Sequence, residues 1–126
     1  MDKKIEYFTR KLNSFSVPEE NKKAILDFFD YNTARGVSKA RVLVHANRLL
    51  PLVQMYGDMK FKDATKMDTQ RIMAQIERND HYAPMTKDMF RVTLKRFYKW
   101  LLGNDEAYPE CVRWIKTTAS AKRIMP

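Results

Sequence analysis

The chain holds one cysteine, three glycines and no Asn-Gly or Asp-Gly pair. Each shortage excludes something. Cys111 alone can form no internal disulfide, so the fold is not a disulfide scaffold, and a reducing cytosol suits it. Set beside Val112, Trp114 and Ile115, it reads as a small core residue. Without the hairpin pairs, and with little apolar-polar alternation, β-structure has scant support. No apolar run nears the ~20 residues needed to cross a bilayer. The charged N-terminus MDKKIEYFTRKL does not read as a secretory signal. A cytoplasmic protein with no membrane partner is the expectation. Two histidines, His45 and His81, with one cysteine make no zinc set. No glycine-rich phosphate loop and no Ser-His-Asp spacing occur, so neither a metal nor a cofactor is expected.

Acidic residues are also short. Lys and Arg number 24 against 15 Asp and Glu, giving a net charge of +9. Such a field attracts polyanions, chiefly nucleic acid or acidic membrane. At 126 residues, 44% of them hydrophobic, the chain is long enough for one domain with its own core. The eight methionines include Met73, Met85 and Met89 near apolar stripes, where they read as adaptable core filler.

What is abundant is helical spacing, and the expected class is all-α: a compact bundle of four to five helices with no sheet. The first helix is predicted from about Lys3 to Asn13, with Ile5, Phe8 and Leu12 inward. The second is predicted to start with a capping box, Ser16 and Glu19, and to tolerate Pro18 in its first turn. It buries Ala24, Ile25, Phe28 and Phe29 and stops at Gly36 in a left-handed turn. The third has Ser38 as N-cap and runs through Val42, Leu43, Ala46, Leu49, Leu50, Val53 and Tyr56 to Gly57. Pro51 inside it predicts a bend near Asn47 to Pro51, or two helices meeting there. Thr65 and Asp68 cap a fourth, with Ile72, Met73 and Ile76 buried. Thr86 is the expected N-cap of a fifth, which buries Phe90, Leu94, Phe97 and Leu101 and stops at Gly103. Residues Cys111 to Ile115 suit one or two further turns. The expected domain covers residues 1–116, and 117–126 reads as a linker.

Two helices carry stacked cations. Lys87, Arg91 and Lys95 lie at i, i+4, i+8 on the fifth, with only Asp88 opposing them on that helix. Stacked like charges cost a few tenths of a kcal/mol per pair (about 0.2–0.5), which a polyanion relieves. On the third, Lys39, Arg41, His45 and Arg48 border the apolar face. Ser38 and Thr86 each open a helix whose N-terminal N–H groups suit a phosphate. Two such helices suggest a pair crossing one DNA groove. The set Ser38, Lys39, Arg41, His45, Arg48, Thr86, Lys87, Arg91 and Lys95 is therefore the candidate DNA-binding surface.

Three phrases together carry a family resemblance: DATKMD (Asp63 to Asp68), LKRFYKWL (Leu94 to Leu101) and YPECVRWIK (Tyr108 to Lys116). With the helix order around them, nearly the whole chain resembles the N-terminal core-binding, SAM-like domain of tyrosine recombinases, or phage integrases, of the archaeal kind. The resemblance implies one half of a C-shaped clamp on double-stranded DNA, with two crossing helices in the major groove. It implies a C-terminal catalytic domain as partner, in a parent that is tetrameric on DNA, with this chain monomeric alone. The family commonly has Thr or Ser, and an aromatic, at the positions of Arg41 and His45. Family catalysis needs residues in roughly 170 further positions, so this chain alone is not expected to cut DNA. His45-Ala46-Asn47-Arg48 matches the H-x-x-R catalytic box of such enzymes but lies in the DNA-contacting helix, with Tyr56 at an apolar position. Two other readings are a helical adaptor anchored by Trp100 or Trp114 and a dimeric helix-turn-helix regulator using the Ser38 helix.

Overall fold

The structure is a computed structural model that describes residues 3–117. The expected linker, apart from Thr117, lies outside the described residues. Among the described residues the fold is all-α, with no strand. The helices are α1 (Lys3–Ser14), α2 (Glu19–Ala34), α3 (Lys39–Tyr56), α4 (Lys66–Arg78), α5 (Pro84–Leu101) and α6 (Glu110–Arg113), with one 3-10 turn at Phe61–Asp63. No described helix is long and apolar enough to cross a membrane. Contacts divide the chain between Asp63 and Ala64, leaving α1–α3 in the first unit and α4–α6 in the second.

In the first unit α1, α2 and α3 pack on one another. Phe8 and Leu12 of α1, Ile25 and Phe28 of α2, and the row Val42, Ala46, Leu49, Val53 of α3 are all buried. Burying each of the larger side chains is worth about 1.5–3 kcal/mol. A Schellman motif ends α2 as expected. Gly36, at φ +86, donates to the Thr33 carbonyl at 3.0 Å, and Val37 donates to Asn32 at 3.1 Å. The polar pins were not foreseen. Asn21, 1% exposed, donates through Nδ2 to the Met59 carbonyl and accepts the Phe61 N–H through Oδ1, both at 2.9 Å. It ties the 3-10 turn to α2, and Phe61 then stacks edge-on against Tyr56 at the end of α3. Lys22 is also buried. Its ammonium donates to the Asn13 carbonyl in the last turn of α1 and pairs with Glu19.

In the second unit α4, α5 and α6 pack together. Thr65 and Asp68 form the expected capping box on α4. Thr69, 0% exposed, accepts the Trp114 indole N–H at 3.0 Å and donates to the Cys111 carbonyl, so it locks α6 onto α4. Cys111 is buried, as read, and burial pushes its thiol pKa up, which keeps it neutral.

Two expected caps are corrected, and one of the two outcomes expected at Pro51 is excluded. Ser16 does not cap α2; Pro18 is the N-cap, without a side-chain bond. A Ser16 cap would put Val17 in helical conformation directly before proline, which proline disfavours. Thr86 does not cap α5, which starts two residues earlier at Pro84 with Ala83 extended before it. Pro51 does not split its segment in two, since α3 runs through it as one helix. Helix α5 ends at Leu101, just before Gly103 as expected; the positive φ values fall on Asn104 (+53) and Asp105 (+61), not on that glycine. Its role is close approach, because a Cβ there would strike the backbone oxygens of Ala107 and Lys99.

Candidate nucleic-acid interface

On α3 the apolar positions set the rest. With Val42 at the centre of the buried face, Arg41, His45 and Arg48 fall about 60–120° to one side. Ser38, Lys39 and Arg41 are exposed, while His45 and Arg48 are half-buried. Ser38 accepts the Arg41 N–H at 3.3 Å, so the expected N-cap is present and the helix begins at the exposed, cationic end. Across its eighteen residues α3 has no carboxylate. The positive end of the helix dipole, two exposed cations and Arg48 therefore add with no acid on that helix to offset them. The H-x-x-R pair lies on this flank. Tyr56, two turns further on, is 4% exposed and stacked against Phe61, so its hydroxyl is not presented as a nucleophile.

The stripe on α5 is arranged differently. Lys87 Nζ donates to the Glu77 carbonyl at 2.8 Å. Arg91 pairs with the Glu77 carboxylate and, at 3.9 Å, with Asp88. Lys95 sits 4.4 Å from the centre of the Tyr108 ring, and Lys99 at 5.1 Å. Arg113 donates from Nε and a terminal nitrogen to the Tyr108 carbonyl. Thr86 is half-buried in the first turn. The α5 cations thus already have partners within their own unit. Sequence reading missed Glu77 because it looked for counter-charges only on α5. A signal was present: α4 and α5 are joined by residues 79–83 alone, which brings the last turn of α4 beside the first turns of α5. Tyr108 carried no comparable signal, since its ring reaches Lys95 and Lys99 only through the turn after Gly103.

Comparison of the chain with protein-family models, with curated proteins and with solved structures gave no match. The site therefore rests on its own geometry. Ser38, Arg41, His45 and Arg48 form one flank of α3 in the first unit, with Lys39 on the other side of the buried face; Lys87, Arg91 and Lys95 form a second line in the other, where Arg91 faces carboxylates. Neither tryptophan offers an open anchor. Trp114 spends its N–H on Thr69 and the Cys111 carbonyl, and Trp100 is half-buried, 6.0 Å from Phe97. Among the described residues no cluster of His, Cys, Asp and Glu could hold a metal ion.

Proposed function

We propose that this chain binds double-stranded DNA through its phosphates, as the core-binding module of a tyrosine recombinase whose catalytic residues lie elsewhere. The observation that carries the DNA reading is the acid-free, Ser38-capped α3, with Lys39 and Arg41 exposed at its start and Arg48 on the Arg41 side. The recombinase reading adds the three family phrases, which fall at the cap of α4, the second half of α5 and across α6. The α3 flank makes the main contact. On α5, Arg91 must leave or share the Glu77 and Asp88 carboxylates before it meets a phosphate, so that line contributes less.

Binding of this kind is weak and sequence-tolerant, and it falls steeply with salt. Anisotropy of a labelled duplex over a salt series tests it. About five phosphate contacts give a log–log slope of roughly −4 to −5. No binding at low salt would sink the reading.

One observation favours a helix-turn-helix regulator as second reading. Helices α2 and α3 pack together across residues 35–38, a short turn holding Gly36. It requires a dimer on a palindromic site. Sedimentation of the chain on duplexes with one and two half-sites separates the two.

A further inference from the structure

The other flank of α3 is apolar. Ala40, Leu43, Val44 and Asn47 fall about 100–200° round from Val42. With Lys3, Lys4 and Tyr7 of α1 they line an open cleft of about 500 Å³ within the first unit. Tyr7 is 57% exposed and Val44 39%, so two apolar side chains that a closed core would cover face solvent here. The rim is cationic. Lys3 and Lys4 are exposed, Lys11 stands 5.7 Å from the Tyr7 ring centre, and Lys39 opens α3 beside Ala40. Glu6, the one carboxylate on α1, lies about 100° round that helix from Tyr7.

This combination selects its occupant. An aliphatic floor with a single ring suits Leu or Phe anchors one helical turn apart, as in helix-in-groove recognition, and offers no succession of rings for nucleobases. Lysines at the rim call for carboxylates. A second copy of the chain brings a net charge of +9 and is repelled. The chain's own residues 118–126 carry Lys122 and Arg123 with no acid, so they too lack the complementary charge. We propose that the cleft between α1 and α3 docks an acidic amphipathic helix of a partner protein, with apolar anchors on Tyr7, Leu43 and Val44 and carboxylates beside Lys3 and Lys4. Its anchors lie on the opposite flank of α3 from Arg41, His45 and Arg48, and only Lys39 borders both surfaces, so the apolar docking stands or falls independently of the DNA reading.

The test uses the full chain and a fluorescein-labelled peptide of about 15 residues, Leu at helical spacing and Glu elsewhere. Titration should give a Kd of ~10–100 µM, and amide shifts should cluster in residues 3–7 and 40–47. Val44→Asp should weaken binding at least ~10-fold, as should Tyr7→Ala. Met67→Asp, at an exposed residue of α4, should change nothing. An all-Glu peptide of equal length should bind at least ~10-fold more weakly, since it lacks the anchors. Circular dichroism of each variant confirms an intact fold, as both cleft side chains are already exposed. The proposal is overturned if Val44→Asp and Tyr7→Ala, both folded, bind as wild type, or if the shifts fall elsewhere. Absence of binding below ~1 mM would overturn it too. So would a single-stranded oligonucleotide that moves the same amides with equal affinity.

Discussion

Replacing Asn21 with Ala removes both bonds that fasten the connector after α3. Asn21 and Phe61 are each 1% exposed, so water cannot readily replace what is lost. The deletion forfeits two hydrogen bonds, about 1 kcal/mol net each, and leaves the Phe61 N–H buried without its acceptor, about 1–3 kcal/mol more. The Met59 carbonyl belongs to a half-exposed residue and is hydrated more easily. The sum is about 3–5 kcal/mol. Asn21→Asp keeps an acceptor for Phe61 but buries a carboxylate facing the Met59 carbonyl, so near neutral pH it should cost at least as much as Asn21→Ala. Urea unfolding followed by circular dichroism gives the totals, and hydrogen exchange at the Phe61 amide gives the local effect. In the wild type that amide exchanges slowly; in Asn21→Ala its protection falls by at least ~10-fold beyond the global change. A loss under ~0.5 kcal/mol for Asn21→Ala, or an Asp variant clearly more stable than the Ala variant near neutral pH, would refute the reasoning. The consequence reaches function, because Phe61 packs on Tyr56 and so steadies the end of the helix that carries the basic flank.

Three further outcomes are expected. Thr65→Ala should cost about 1 kcal/mol in thermal unfolding by loss of the α4 cap. The Thr65 N–H and hydroxyl, then Arg71, hold the Asp68 carboxyl below the ordinary aspartate range. Its contribution is therefore full above that range and is lost as pH falls through the lowered value; Asp68→Asn should abolish that acid limb. Gly103→Ala should cost about 1–3 kcal/mol, because the new methyl group meets backbone, with the Lys99 oxygen at 2.7 Å; wild-type stability would contradict the close approach. Glu77→Gln releases Arg91 and should steepen the salt dependence of DNA binding by up to about 0.9; an unchanged slope would mean that α5 lies away from DNA.

Apolar spacing located every long helix, because burial of one face at 3.6-residue period leaves a mark in sequence. Caps that obey one local rule were equally legible, as with Ser38, Gly36 and the Thr65–Asp68 box. Those at Ser16 and Thr86 were misread because two local rules competed. Proline restricts the residue before it and favours the first helical position, and that preference outweighed a side-chain cap. Asn21, Lys22 and Thr69 were illegible for another reason. Their partners lie 38, 9 and 42 residues away, and no spacing along one helix reports them. The candidate site was legible by halves. The α3 flank was read from the spacing on its own helix; the α5 stripe was altered by Glu77 and Tyr108, which lie off it.

The most direct measurement is the salt dependence of duplex binding for two paired variants, Lys39→Gln/Arg41→Gln on α3 and Lys87→Gln/Lys95→Gln on α5. The account predicts that the α3 pair makes the slope shallower by about 2, two phosphate contacts at ~0.9 each, while the α5 pair changes it by less than about half that. Equal slopes for wild type and the α3 pair, with binding intact, would contradict it and move the contact off α3.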